Sequence, residues 1–173
     1  MTMNATVSNP LHFHFAETRL GFALVAASGK GIAAILLGDD KSRLRRELSR
    51  AFPDTELIED EAGLAEALVR VAALIDDPRA SHDLSLDLRG SALEKAVWDA
   101  LRAIPAGETR SYGQLAKSLP VRATAQEVGA ACAANVLAVA VPCHRVLKAD
   151  GSISGYRWGV PRKLQLLAME KAA

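Results

Sequence analysis

The sequence predicts an α+β protein in which a sheet-rich N-terminal half precedes a mostly helical C-terminal half. Two observations support this prediction. Short apolar or alternating runs separated by glycine, typical of strands, are concentrated before residue 40, whereas helical periodicity dominates after Gly90. Half of the 173 residues are hydrophobic, which is enough to form a packed core without disulfides. We therefore divide the chain into domains at residues 1–90 and 91–173.

The first domain opens with a pattern of consecutive strands. The stretch LHFHF, residues 11–15, alternates polar and apolar side chains, and the apolar runs GFALVAAS and GIAAILLG follow. Alternation with a period of two indicates a half-buried strand, and short apolar runs between glycines are typical of buried strands. The sequence therefore predicts a strand meander.

Two helices and one more strand complete this domain. Leu44, Leu48 and Phe52 recur at helical spacing, and a second helical pattern covers residues 61–75. The stretch LSLDLRG, residues 84–90, returns to alternation and predicts a strand at the domain's end.

Two groups of polar residues in this domain each allow a functional interpretation. His12 and His14 could bind a metal together, but no matching Cys, Asp or Glu spacing lies nearby, so we interpret them as exposed strand residues and predict no metal site. A basic cluster could contact nucleic acid, but its helix also carries acidic residues, which favours a solvated helix face. The cluster comprises Arg43, Arg45, Arg46 and Arg50.

The second domain is predicted to contain three helices with short turns. A capping box of Ser91 and Glu94 opens the first helix, and residues 106–119 supply a turn and a short helix. The third helix runs from Thr124 to Asn135, a residue suited to a left-handed C-terminal cap. Residues 1–90 carry 10 basic and 14 acidic side chains, net −4, whereas residues 91–173 carry 11 and 6, net +5. Three helices in a basic half indicate a helix-turn-helix that contacts a polyanion.

The third of these helices is nearly devoid of large side chains. Close packing in a core would explain this composition, and so would close approach to another backbone, protein or nucleic acid. The small residues are Ala125, Gly129, Ala130, Ala131, Cys132, Ala133 and Ala134.

The stretch VPCHRV, residues 141–146, places a thiol beside an imidazole. Free cysteines are usually buried and inert, and Cys132 fits that description. Cys143 has more around it, since His144 could accept its proton and the cations Arg145 and Lys148 could favour the thiolate. We interpret both cysteines as free thiols.

Geometry restricts the pairing of Cys143 with its neighbour. Adjacent side chains of an extended strand point to opposite faces, so Cys143 and His144 can interact only if the chain turns here or a water bridges them. A carboxylate that holds the imidazole is also expected, and the final helix, which opens at Pro161, carries Glu170.

These residues carry a specific resemblance. PCHRV, with Asn135 upstream and GSISGYRWGVPRKLQLLAME downstream, resembles the active-site region of the O6-alkylguanine-DNA alkyltransferases, also called methylated-DNA-protein-cysteine methyltransferases, of the bacterial Ada C-terminal and Ogt type. The stretches SYGQLA and CAAN add independent matches. The resemblance is close from Leu93 to Glu170 and looser before it.

The resemblance implies both a fold and an activity. It implies a ribonuclease-H-like N-terminal domain followed by a winged helix-turn-helix domain. It implies DNA repair by direct, irreversible transfer of an alkyl group from O6 of guanine, or more weakly O4 of thymine, to Cys143. Each molecule would act once as a methylated-DNA-protein-cysteine S-methyltransferase, without a cofactor, which fits the absence of a phosphate loop or metal spacing.

Carried over to this sequence, the resemblance assigns five catalytic roles. Cys143 is the acceptor, His144 its water-mediated base, and Glu170 the carboxylate that orients His144. Asn135 orders the turn before the active-site strand, and the Tyr112 hydroxyl stabilises the leaving purine.

The resemblance also assigns contacts to the flipped base and to DNA. The carbonyls of Cys143 and Val146 read the exocyclic amine, and a loop closes over the base with the Arg157 N–H near O6. The loop residues are Ser154, Gly155, Tyr156 and Arg157. The helix-turn-helix enters the minor groove of double-stranded DNA, which is about 6 Å wide and would favour small side chains. The implied DNA contacts are Thr124, Ala125, Gln126, Gly129 and Ala133.

One position departs from the family pattern. An arginine usually intercalates where the flipped base was, and Gln126 stands at the matching position, without the charge or the planar guanidinium. Two rival functions follow from different readings of the chain: a non-catalytic DNA-damage sensor with an idle Cys143, and a turnover cysteine hydrolase. We expect a cytoplasmic monomer. We also expect no membrane segment, because no apolar run approaches the roughly 20 residues of a membrane span.

Overall fold

The computed structural model describes residues 9–171. Strands β1 (Leu11–Thr18), β2 (Gly21–Ser28) and β3 (Gly31–Gly38) form the predicted antiparallel meander. The short strand β4 (Leu57–Glu59) adds to the free edge of β1 in parallel, which gives a mixed sheet of order β3-β2-β1-β4. The predicted α+β class is confirmed.

The sheet's burial follows the sequence pattern. In β1 the side chains of Leu11, Phe13 and Phe15 are buried while those between them are partly exposed. The central half of β2 and all of β3 except its two terminal glycines are buried. The turn into β3 requires glycine, because Gly31 has a φ of 145° and a Cβ there would lie 2.5 Å from the Ser85 carbonyl oxygen.

Six α-helices accompany the sheet within the described part of the chain. They are α1 (Lys41–Ala51), α2 (Ala65–Asp76), α3 (Ala92–Arg102), α4 (Tyr112–Ser118), α5 (Ala125–Ala134) and α6 (Val160–Lys171). Helix α1 packs on β2 and β3, and α2 packs on β1 and β2. The longest helices have 12 residues, so within residues 9–171 no helix is long and apolar enough to cross a membrane.

The predicted strand at residues 84–90 is wrong. Only Leu86 bridges to β3, through hydrogen bonds that join Ile32 to Ser85 and Asp87. Further along β3, Ile35 instead pairs with the segment around Leu137. Because two segments share one edge of β3, neither has room for a ladder.

The caps predicted at Ser91 and Thr124 are confirmed, and Ser111 forms a further one that was not predicted. Ser91, Ser111 and Thr124 each form a capping box at the start of α3, α4 and α5. These three helices pack on one another, and the short parallel strands β5 (Arg110–Ser111) and β6 (Val146–Leu147) pair beside them. Buried apolar residues of both halves form one continuous cluster, so the division after Gly90 stays a prediction.

The basic cluster and the two histidines of the first half differ in how exposed they are. All four arginines of the basic cluster are exposed, which agrees with a solvated helix face, and that interpretation stays a prediction. His12 and His14 are only partly exposed: Nδ1 of His12 lies 2.7 Å from Asp60 Oδ2, and Nδ1 of His14 lies 3.4 Å from Glu59 Oε1. The prediction of simply exposed histidines is therefore corrected, since β4 brings carboxylates beside both rings.

Candidate active site

Asn135 orders the chain between α5 and the thiol. Its φ of −65° and ψ of 125° are extended, so the predicted left-handed cap is wrong. Its buried amide instead donates to the Val141 carbonyl at 2.9 Å and accepts the Leu137 N–H at 2.8 Å. Within this bend Val139 has a φ of 68°, a strained conformation for a β-branched residue. The side chain of Asn135 therefore closes a turn that its backbone does not favour.

Replacing Asn135 with alanine is expected to lower the free energy of unfolding by about 1–3 kcal/mol, because the buried Leu137 N–H loses its acceptor and the Val141 carbonyl loses one of its two donors. Urea denaturation measures the change. Ser118→Ala is the matched control, since it removes one hydrogen bond from an exposed residue and should cost about 1 kcal/mol or less. Equal losses in the two variants would contradict the proposed importance of this turn.

The thiol lies at a chain turn rather than in a strand. Cys143–Arg145 form one turn of 3₁₀ helix after Pro142, and Sγ of Cys143 accepts the Asn135 amide at 3.3 Å. Cys143 is 7% exposed and lines a pocket of about 290 Å³. The other lining residues are Tyr112, Gly129, Cys132, Ala133, Gly155, Tyr156 and Arg157. The sulfur is therefore reachable from one side only.

Burial raises the pKa of the Cys143 thiol, although the Asn135 amide and the charge of Lys163 act in the opposite direction. The pKa of Cys132, in the same pocket, is raised to about 12, again chiefly by burial. Both cysteines are free thiols, as predicted. A thiol of raised pKa is mostly protonated near pH 7, so nucleophilic chemistry at Cys143 requires a base.

His144, the residue after Cys143, pairs with a buried carboxylate. Nε2 of the fully buried His144 is 2.6 Å from Oε1 of Glu170, which is 4% exposed. Burial lowers the pKa of His144, although Glu170 raises it. A neutral ring that donates Nε2–H to the carboxylate leaves Nδ1 as an acceptor, and Nδ1 has no hydrogen-bond partner among the described residues. The predicted pairing of His144 with Glu170 is thus present in the geometry.

Arg145 does not activate the thiol as expected. Its buried guanidinium binds both oxygens of Glu170 and donates to the carbonyls of Ile104 and Pro78. Lys148 is exposed. Arg145 therefore fixes Glu170 and ties the two halves of the chain together, because Pro78 belongs to the first half.

The sequence analysis did not identify Lys163, the cation whose charge has the largest effect on the pKa of the Cys143 thiol. Lys163 is fully buried on α6, and Nζ donates to the Val146 carbonyl at 2.7 Å and to Ser154 Oγ at 2.8 Å. Its charge is the main one that lowers the pKa of Cys143. The signal was present in the sequence, because Lys163, Leu166 and Glu170 share one helical face at spacings of three and four.

Tyr112 begins α4 and joins the same network. Its hydroxyl donates to Ser154 Oγ at 2.7 Å, and Ser154 Oγ donates to the Val146 carbonyl at 3.2 Å. The Val146 carbonyl therefore already accepts two hydrogen bonds, one from Ser154 and one from Lys163. Burial raises the pKa of Tyr112, so its hydroxyl stays protonated as a donor.

The predicted DNA-contacting residues lie along α5. Thr124, Ala125, Gln126 and Ala133 are exposed, and Gly129 is half-buried beside the Tyr112 ring. The opposite face of α5 packs in the core, where Trp98 Nε1 donates to the Ala131 carbonyl at 2.9 Å. Close packing therefore explains the small residues on one face only, and the exposed ones leave the backbone of α5 open to close approach.

Comparisons with known proteins identify a matching family and several similar proteins. The family described as "6-O-methylguanine DNA methyltransferase, DNA binding domain" matches residues 92–172. The bifunctional transcriptional activator/DNA repair enzyme Ada of Escherichia coli is 45% identical over 160 residues, which are 92% of this chain and 45% of Ada. The chain thus spans less than half the length of Ada.

Two further relatives are matched along most of their length. The inducible methylated-DNA–protein-cysteine methyltransferase of Bacillus subtilis is 34% identical over 162 residues, 94% of this chain and 86% of that protein. The crystal structure of Mycobacterium tuberculosis OGT in complex with DNA superimposes with a TM-score of 0.76 at 33% identity over 92% of each chain. The chain belongs to the methylated-DNA–protein-cysteine methyltransferase family.

Proposed function

We propose that the protein repairs O6-alkylguanine in double-stranded DNA by moving the alkyl group onto Cys143, once per molecule. The observation that carries this proposal is a nearly buried thiol at the wall of a pocket, backed by an imidazole–carboxylate pair and flanked by a tyrosine hydroxyl. Family membership supports it. We further propose that the protein acts as a monomer in the cytoplasm, where free thiols such as its own stay reduced, and that it needs no cofactor.

The transfer is a single displacement. The thiol proton passes to Nδ1 of His144 through a water, and Glu170 stabilises the charged ring. Sγ of Cys143 attacks the alkyl carbon as the bond from that carbon to O6 breaks, and the bond's electrons stay with guanine. The leaving guanine anion takes a proton from the Tyr112 hydroxyl, and the proton held by His144 replaces it by way of solvent. Thiol and alkylguanine thus become thioether and neutral guanine.

Entry of the base would rearrange the tyrosine network. When the base binds Tyr112, the bond from Tyr112 to Ser154 breaks, and Ser154 can release the Val146 carbonyl for the exocyclic amine. The Cys143 carbonyl accepts one N–H, from Val146, so a second lone pair stays free for the same amine. The loop residues Gly155, Tyr156 and Arg157 line the pocket and would cover the base. O4-alkylthymine would react more weakly at the same site.

The exposed face of α5 would dock in the minor groove. A groove about 6 Å wide admits a helix backbone only if its side chains are short, which Ala125, Gly129 and Ala133 satisfy. Thr124 would contact the backbone of the DNA, and Gln126 would fill the gap that the flipped base leaves. Flipping costs a few kcal/mol, which contacts in the groove must supply.

Gln126→Arg is expected to accelerate repair of duplex DNA by about two- to tenfold, because a guanidinium adds charge and a planar stack to the emptied base step. Reaction with free O6-benzylguanine, which needs no flipping, should not change. Gln126→Lys is the matched control, since it adds the charge without the plane and should gain less. Equal acceleration of both substrates would contradict a role in flipping.

The number of methyl groups removed per protein molecule tests the proposed function against its rivals. A duplex containing O6-methylguanine is supplied in tenfold excess, and repaired guanine is counted. Repair that stops at one guanine per molecule supports the proposal. Binding without repair would favour the damage sensor, and continued turnover would favour a hydrolase.

A further inference from the structure

The mouth of the Cys143 pocket is crossed by one charged side chain. Arg157 lines the pocket, and its Nη1 donates to the carbonyl of Ala133, another lining residue, at 3.0 Å. Its Nε donates at 3.1 Å to Oε1 of Glu47, which belongs to α1 in the first half of the chain. One side chain therefore links the substrate loop, the end of α5 and the N-terminal domain.

Two features hold this side chain in place. The ion pair is more buried than a typical surface pair, with 28% of the Arg157 side chain and 25% of the Glu47 side chain exposed. The Arg157 guanidinium lies 6.0 Å from the centre of the Trp158 ring, within cation–π range. Its charge also lowers the pKa of Cys143, which places it within electrostatic reach of the thiol.

We propose that Glu47 controls access to the Cys143 pocket, because it holds Arg157 across the pocket mouth and limits entry of molecules that are not anchored by DNA. The DNA-dependent part of this inference rests on the proposed function. DNA phosphates near α5 compete with Glu47 for the guanidinium, so bound DNA opens the mouth. A free molecule without phosphate enters only when the Glu47–Arg157 pair opens by itself.

The test measures access to Cys143 with iodoacetamide, a small neutral thiol reagent, in the full chain. Glu47→Ala should be alkylated at Cys143 about two- to fivefold faster than the wild type, as expected for the loss of a partly exposed ion pair. Peptide mass spectrometry separates Cys143 from Cys132. Asp39→Asn is the matched control: it breaks another ion pair between the halves, from Asp39 to Arg162 at 2.9 Å, away from the pocket.

The salt dependence of the Cys143 alkylation rate distinguishes control of access by the Glu47–Arg157 pair from a purely structural role of Glu47. Because iodoacetamide is uncharged, added salt should accelerate wild-type alkylation toward the Glu47→Ala rate by screening the pair, and should leave Glu47→Ala unchanged. Equal rates in the wild type, Glu47→Ala and Asp39→Asn, or the same salt response in all three, would overturn the role of Glu47. O6-benzylguanine should react faster with Glu47→Ala by the same factor. Faster iodoacetamide alkylation without any benzyl transfer would support the role of Glu47 and contradict the proposed function.

Discussion

Replacing His144 with glutamine is expected to slow alkyl transfer from methylated DNA to Cys143 by about 10²–10⁴-fold at pH 7, the range for loss of a general base. The Cys143 thiol has a raised pKa and is protonated at that pH, so it needs a proton acceptor. Glutamine can keep the hydrogen bond to Glu170 but cannot accept a proton. Single-turnover rates of methyl loss from the duplex measure the effect.

The pH profile separates a base from a structural role. Since burial lowers the pKa of His144, the wild-type ring stays neutral as the pH falls through the usual histidine range near 6.5, and its rate falls only at more acidic pH. In His144→Gln the rate should instead rise by about tenfold per pH unit above pH 7, following the thiolate fraction of Cys143. A variant profile as flat as that of the wild type would contradict the role of His144.

Replacing Glu170 with alanine is expected to cost about 3–5 kcal/mol of unfolding free energy, because it leaves a buried cation without its partner. Arg145 is 8% exposed and His144 is fully buried, and both bind this carboxylate. Alkyl transfer should fall in parallel, since the imidazole loses its orientation. Urea denaturation and single-turnover kinetics measure the two effects.

Glu108→Ala is the matched control for this prediction. Oε1 of Glu108 pairs with Arg110 at 3.4 Å, but its side chain is 54% exposed, so the variant should lose less than about 1 kcal/mol and keep full activity. A loss for Glu170→Ala no larger than that of the control would show that the buried network is not coupled to stability.

Local signals predicted much of the fold. The alternation in β1 and the capping boxes at Ser91 and Thr124 act within a few residues, so they can be read from the chain. The pairing of β4 with β1, and the loss of a strand at residues 84–90, depend on which segments share a sheet edge. Such long-range competition leaves no local pattern.

The site was predictable only in part. The PCHRV motif drew attention to Cys143 and His144, and helix α6 offered Glu170 as a carboxylate. Proximity in sequence was misleading for Arg145, which binds Glu170 instead. The cation whose charge does most to lower the pKa of Cys143 is Lys163, twenty residues after Cys143. Glu47 reaches the pocket mouth only through the packing of α1 near the second half, which no motif indicates.

Mapping the transferred methyl group shows whether Cys143 is the alkyl acceptor. The protein is incubated with a duplex carrying O6-methylguanine labelled with deuterium in the methyl group, digested, and analysed by peptide mass spectrometry. We expect one labelled methyl group per molecule, on the peptide of Cys143 and absent from that of Cys132, and none in Cys143→Ala. A labelled methyl on Cys132, or repaired DNA without any labelled cysteine, would contradict the account.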